Sequence, residues 1–262
     1  MSKNPIDKLA GFCVVTGASS GIGFELAKLA AADGCDLLLV ADRDLSAAKK
    51  ACDDCGATGV ETLEADLGTE KGIESVMEAI GDRKVDTLIA NAGHGLGGAF
   101  LVQKWSDIAH VIDTNVKGAI SLVHKIGGDM VLKDEGRILM TGSIAGDMPG
   151  AYQLVYNSTK AFVNDFCVGL ANELKTTNVV ISCLMPGVTD TQFFKRAGME
   201  DTRAGEMKNK ADPEKVARDG YDALLKGDTQ RVSGLLNKVQ DLFAGLLPDE
   251  LVAEMHRHLA KP

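Results

Sequence analysis

Short runs of apolar, largely β-branched residues alternate with longer stretches of helical periodicity along most of the chain, and the first run empties into a glycine-rich turn. That alternation confines the chain to βαβ units, and therefore to a parallel sheet covered by helices. Phe12–Val15 reads as the first strand, and the helix after Ser20 carries Phe24, Leu26, Ala27 and Leu29–Ala31. Leu37–Ala41, Val60–Ala65, Val85–Ala90, Arg137–Thr141 and Val179–Met185 read as the next five strands, the last stopped by Pro186-Gly187. A short strand near Gln230–Ser233 closes the sheet. Helices are expected over 45–52, 69–80 and 154–174, and over 106–126 with Gly127-Gly128 as its end. Another opens at Asp212-Pro213, an N-cap followed by proline at the first helical position.

The pattern predicts an α/β chain: a single doubly wound, Rossmann-like parallel sheet of about seven strands, with helices on both faces, across residues 1–262. The 262 residues are 45% hydrophobic and 25% charged, enough for a sizeable core. A net charge of −9 argues against a nucleic-acid partner, because phosphate neutralisation needs clustered lysine and arginine. No apolar run is long enough to span a membrane, and the polar start, Met1 to Ala10, lacks the apolar heart of a secretory signal. A cytoplasmic location is the expectation. Cys13, Cys35, Cys167 and Cys183 sit in or beside apolar segments and are expected to be buried. Cys52 and Cys55 form a Cys-x-x-Cys near a helix end, without the further ligands that zinc needs.

The segment 188–211 is polar, charged and longer than an ordinary connection, which predicts a mobile flap over a substrate site. Residues 234–262 form a C-terminal helical extension. Its stripe of Leu235, Leu236, Val239, Leu242, Phe243, Leu246 and Leu247 would pack on the core, meet another subunit, roof the site or touch a membrane. The membrane is disfavoured, since Lys238 is the one cation on the polar face.

Chemistry concentrates in two places. Thr16-Gly17-Ala18-Ser19-Ser20-Gly21-Ile22-Gly23 joins the first strand to its helix. Glycines there let backbone approach a pyrophosphate, and free N–H groups at the helix start stabilise its charge. The spacing Gly-x-x-x-Gly-x-Gly differs from the usual dinucleotide fingerprint. Asp42, at the end of the second strand, suits a ribose hydroxyl and points to NAD; Arg43 beside it could accept the 2′-phosphate of NADP. Far along the chain, Tyr156 and Lys160 stand four apart on one helix face. A phenol titrates near about 10, and a neighbouring ammonium would lower it toward neutrality. Gly17-Ala18-Ser19-Ser20-Gly21 also matches a hydrolase nucleophile elbow with Ser19 as nucleophile, although it falls on the first strand and leaves Gly23, Tyr156 and Lys160 without a role.

Together these segments resemble the short-chain dehydrogenases/reductases, from about Gly11 to Ser233. The glycine turn resembles that family's cofactor-binding turn, and Asp66-Leu67 its adenine-contacting acid after strand three. Ala90-Asn91-Ala92-Gly93 is similar to its Asn-Asn-Ala-Gly motif, with alanine in first place. Asn115, Ser143, Tyr156 and Lys160 resemble its catalytic four, and Pro186-Gly187-Val188 with Thr191 its segment near the nicotinamide and pyrophosphate.

The resemblance implies hydride transfer between NAD (or NADP) and a small-molecule secondary alcohol or carbonyl, without a metal. Tyr156 would exchange the proton, Ser143 orient the substrate oxygen, Lys160 hold the nicotinamide ribose, and Asn115 support a water-linked relay. It also implies a homodimer or homotetramer formed through the two long helices. His94, after the Asn-Ala-Gly turn, is expected to be an exposed loop histidine. Two alternatives stand beside this reading: a catalytically silent nucleotide-binding regulator and the Ser19 hydrolase.

Overall fold

Strands buried on both faces must be apolar at nearly every position, and Phe12–Thr16 (β1) and Val179–Met185 (β6) meet that demand, with every residue buried. The computed structural model describes residues 3–234 and 248–261. Five further strands join these two: Asp36–Ala41 (β2), Gly59–Glu64 (β3), Thr87–Ala90 (β4), Gly136–Thr141 (β5) and Gln230–Val232 (β7). All pair in parallel, in the order β3-β2-β1-β4-β5-β6-β7. Helices Gly21–Ala32 (α1), Ser46–Cys55 (α2), Glu70–Ile80 (α3), Trp105–Ile112 (α4), Ala119–Leu132 (α5), Leu154–Glu173 (α6) and Pro213–Lys226 (α9) cover the sheet. Phe193–Arg196 (α7) and Arg203–Glu206 (α8) are short helices, and Asp249–Ala260 (α10) ends the described chain.

The period of two along a strand sorts the core into two layers. From β1, Phe12 and Val14 join Ile73, Leu122, Ile126 and Val163 of α3, α5 and α6. Cys13 and Val15 face the other way, toward Leu26, Ala30, Val216 and Leu224 of α1 and α9. The edge strand β3 is largely exposed instead, with Val60 its one buried residue. Helix starts follow local chemistry: Thr69 accepts from the Gly72 N–H, and Asp212 from Glu214, with Pro213 behind it.

The strand and helix expectations hold to within a few residues, apart from the helix at 106–126. It is broken by a π-helical turn at Asp113–Gly118, and α5 continues through Gly127-Gly128 to Leu132. Gly127 serves packing rather than termination: a Cβ there would stand 3.3 Å from the Ile138 side chain. The reversal comes later, where Asp134 and Gly136 take positive φ of 51° and 153°. The apolar stripe at 235–247 lies outside the described residues.

All six cysteines are free, with Cys55 alone exposed. No group of three metal-ligating side chains and no helix long and apolar enough to cross a membrane is found among the described residues.

Arg137 is a buried cation on β5 that staples chain ends together. Its guanidinium donates to Leu224 O at 2.6 Å, at the end of α9, and to the Asn4 carbonyl of the N-terminal segment. Burial without a carboxylate lowers its pKa. Arg137→Met strands those carbonyls and is expected to cost about 2–4 kcal/mol of stability. Urea unfolding measures it; an unchanged midpoint would contradict the staple.

Candidate active site

Strand order reverses between β1 and β4, and a crevice opens at the carboxyl ends of the strands there. The cleft is about 630 Å³ and runs from the turn after β1 to the ends of β5 and β6.

At one end lies the start of α1. Gly17 and Gly21 have φ of 66° and 60°, and a Cβ on Gly23 would lie 2.3 Å from Gly17 O and from Asn91 Nδ2. Glycine thus lets α1 dock onto its own turn. The first turn of α1 has no acidic side chain and no side-chain cap, so its N–H groups suit an anion. Asn91 fixes this turn: its Nδ2 donates to Thr16 O and Gly17 O at 3.3 and 3.4 Å, and its Oδ1 accepts from Thr141 at 3.0 Å.

Along one wall stand two carboxylates. Asp42 accepts twice from Arg43, at 2.7 and 2.8 Å, which holds its carboxyl below the usual range. Asp66 Oδ1 accepts from the Gly68 N–H at 2.9 Å. His94 departs from the expected exposed loop residue. Its backbone is clamped by Asn115, which accepts from His94 N at 2.7 Å and donates to His94 O at 2.8 Å. The ring is thereby turned inward, half-buried, 4.7 Å from the ring of His110, with Nε2 3.6 Å from Asp42. Burial keeps this imidazole below its ordinary pKa.

At the far end, β5 delivers Ser143 and α6 delivers Tyr156 and Lys160. Lys160 is buried, and its Nζ donates to Thr141 O at 2.6 Å and sits 5.8 Å from the Tyr156 ring centre. Burial pulls the ammonium down to about 8. The same desolvation pushes the Tyr156 phenol up to about 12, against a hydrogen bond with Ser143 that favours the phenolate. Burial thus outweighs the lowering expected from Lys160, whose Nζ bonds the Thr141 carbonyl. Asn115 sits in the π-helical turn, a feature recurrent at functional sites, and bonds Thr159 of α6 at 3.0 Å.

Eighteen of the residues singled out from sequence line this one cleft: Gly17, Ser19, Ser20, Gly21, Ile22, Asp42, Asp66, Leu67, Asn91, Ala92, Gly93, Ser143, Tyr156, Lys160, Pro186, Gly187, Val188 and Thr191. Gly23, Arg43 and Asn115 act from behind it, by packing, ion pairing and hydrogen bonding. Residues of the 188–211 segment, among them Val188, Thr191, Phe193, Arg196 and Ala204, line the cleft. Thr189 bridges to Ala211, and Phe194, Ala197, Met199 and Ala204 form a small core with Ala260 of α10. Phe193 lies 5.0 Å from the Tyr156 ring.

Three contributors carry no motif. Asn164, one turn beyond Lys160, holds the Ser143 backbone on both sides at 3.3 and 2.9 Å. Arg196 reaches Ser20 from α7 at 3.0 Å. His256 of α10 is buried and bonded to Ala151 O at 2.9 Å and Asn157 at 3.3 Å. Its signal was present: Val252, His256 and Ala260, four apart, form one buried face.

Comparison with known proteins agrees with this geometry. A family model described as short chain dehydrogenase matches residues 12–201. Human 17-beta-hydroxysteroid dehydrogenase type 1 is 31% identical over 190 residues, 70% of this chain and 58% of that protein. The mouse protein of the same name is covered to 55%, so the chain spans little more than half the length of these relatives. Sulfoacetaldehyde reductase 2 of Chromohalobacter salexigens is 31% identical over 191 residues, 71% of this chain and 75% of that one. Among solved structures, a short-chain dehydrogenase from Sphingobium yanoikuyae in complex with NADPH superposes with a TM-score of 0.80 at 27% identity, covering 90% and 94% of the two chains. A 7beta-hydroxysteroid dehydrogenase shares the fold, with a TM-score of 0.85 at 19% identity. The chain belongs to the short-chain dehydrogenase/reductase family.

Proposed function

We propose that the protein is an NAD(P)-dependent oxidoreductase that interconverts a secondary alcohol and its carbonyl, with Tyr156 exchanging the proton. One observation carries the reading: the Ser143 hydroxyl and the Tyr156–Lys160 pair of α6 meet at one end of a cleft whose other end is the N-terminus of α1, with Asp42 on its wall. The nicotinamide, when bound, supplies or accepts the hydride. Gly17 to Gly23 and the start of α1 would hold the pyrophosphate, and Asp42 and Asp66 the adenosine.

Ser143 holds the substrate oxygen beside Tyr156, whose hydroxyl delivers or removes the proton at that oxygen. Lys160, held by Thr141 O, stabilises the phenolate form and would hold the nicotinamide ribose. Asn115 sets the floor of this arrangement through His94 and Thr159. The substrate end is walled by Ile144, Met148, Phe193, Phe194, Met207 and Leu259, which favours a bulky, apolar alcohol or ketone.

A hydrolase of the nucleophile-elbow type activates its serine with an imidazole. Here His94 turns to Asp42 and His256 to Ala151, so Ser19 has no support from either. Exposed Leu101, Val102, Trp105 and Leu154 support a homo-oligomer formed on the α4–α6 side.

The reading is tested with a panel of apolar secondary alcohols and ketones, each with NAD and NADP or their reduced forms, following the absorbance of reduced nicotinamide. Turnover is expected with bulky apolar members. Tight nucleotide binding with no turnover across the panel would favour the silent regulator.

A further inference from the structure

An amide lies buried in the cleft without a partner. Gln153, at the N-cap of α6, is 7% exposed and lines the cleft, and its side chain makes no hydrogen bond among the described residues. Ser143, Lys160, Thr189 and His256, buried polar residues of the same cleft, are each engaged with a carbonyl: Pro186 O at 3.3 Å, Thr141 O at 2.6 Å, Gly187 O at 2.9 Å and Ala151 O at 2.9 Å. An amide removed from water and given no protein partner destabilises the fold. Such a group calls for an explanation, and a ligand is one.

The backbone holds this amide in place. Tyr152, just before it, takes a left-handed φ of 63°, a strained conformation for a bulky residue. The strain is held from several sides. Tyr152 O accepts from the Gly98 N–H at 2.9 Å, and its side chain packs on the small core of Phe194, Met199 and Ala260. Ala151 O accepts from His256 of α10, and Met148 O from Asn157 at 3.1 Å. Gln153 N donates to Gly150 O at 2.8 Å. The turn is thus tied to α6, α10 and the loop after β4, while the side chain it presents is tied to nothing. Tyr156 follows three positions later, so amide and phenol lie on one helix face, with Cβ atoms about 5–6 Å apart.

The chemistry of the group selects its ligand. Glutamine is neutral and offers both a carbonyl and an NH₂. Proteins meet carboxylates and phosphates with arginine or lysine instead. The complement of Gln153 is therefore an uncharged oxygen function close to the reacting carbon.

We propose that Gln153 sets substrate specificity by hydrogen-bonding a second, uncharged oxygen of the substrate, carried one or two carbons from the reacting one. The substrate class is then an apolar body with two neighbouring oxygen functions (a hydroxyketone, diketone or keto ester, and the corresponding alcohols) rather than a plain ketone. The proposal rests on the alcohol–carbonyl reading of the cleft, and the two fail separately.

The test is steady-state kinetics of the full chain with NADH and NADPH on three ketones: butyrophenone, 1-phenyl-1,2-butanedione and ethyl benzoylacetate. Wild type is compared with Gln153→Met, which keeps the length of the side chain and removes the amide. Wild type is expected to favour at least one dioxygenated ketone over butyrophenone in kcat/KM. Gln153→Met is expected to lower that preference by about tenfold or more, the loss that one hydrogen bond to substrate carries. Comparing the preference between the two proteins cancels the ketones' intrinsic reactivities. Because the amide is unpaired without substrate, the urea midpoint of the variant is expected to equal or exceed that of wild type. A lowered midpoint would show an amide bonded within the fold and overturn the proposal. An unchanged preference, or an equal loss on all three ketones, would overturn it as well and leave the alcohol–carbonyl reading standing. No turnover by wild type of these ketones or of the wider panel overturns that reading, and the proposal with it.

Discussion

Tyr156→Phe is expected to lower kcat by about a thousandfold, as loss of a positioned proton carrier implies, while NADH and NADPH affinities stay within about twofold. The substitution keeps the ring and its packing against Phe193 at 5.0 Å, and removes only the oxygen beside Ser143. The size of the effect follows from how that oxygen is held. Burial takes the phenol up to about 12 even against the Ser143 hydrogen bond, so it stays protonated at neutral pH until positive charge favours the phenolate. Each pKa unit recovered needs about 1.4 kcal/mol of preferential stabilisation. Ser143 contributes a hydrogen bond, and Lys160 and a bound oxidised nicotinamide bring positive charge into a desolvated space where it acts strongly. None of these helps once the oxygen is gone. Steady-state kinetics with calorimetry decides the matter: a variant retaining most of its turnover would remove Tyr156 from the chemistry.

Most of this site was legible in the sequence because its residues fall at element ends, where local composition is most informative. The glycine turn, Asp42, Ser143 and Pro186 each follow a strand whose apolar run is unmistakable. Tyr156 and Lys160 were readable from helical spacing once the glycine turn stood beside them. What escaped belongs to contacts that no local pattern encodes. Nothing in Phe-Phe-Lys-Arg announces that Arg196 meets Ser20, because the meeting depends on how 188–211 folds back. His94 looked like a loop residue, since the Asn115 amide that turns it inward lies 21 positions later. The π-helical turn around Asn115 was hidden because the helix runs on through it, and Gly127-Gly128 imitated a helix stop although Gly127 serves as a close contact with Ile138. The direction of the Tyr156 shift was misjudged for a related reason: spacing shows that an ammonium is near, but not that a carbonyl already holds it or how little water surrounds both.

That carbonyl leads to the second large effect, in stability and in turnover together. Lys160 titrates at about 8 in the folded protein against an ordinary 10.5, chiefly because it is buried, with Cys183 and Cys167 acting weakly the other way. Between those values the unfolded chain holds a proton that the folded chain has released, so stability rises with pH through this window. Below about 8 both states are protonated and the cost of burying the ammonium is constant. The whole span is worth about 3 kcal/mol. Lys160→Met removes the titration and leaves Thr141 O without its 2.6 Å donor, a loss that does not vary with pH. Wild type is therefore expected to gain about 3 kcal/mol relative to Lys160→Met as pH rises from about 7.5 to about 10.5, whichever is the more stable at the start. Urea unfolding of the pair across this range gives the difference directly, and parallel curves would show that the ammonium is not desolvated. Turnover of the variant is expected to fall with that of Tyr156→Phe, because the phenolate loses its nearest fixed positive charge.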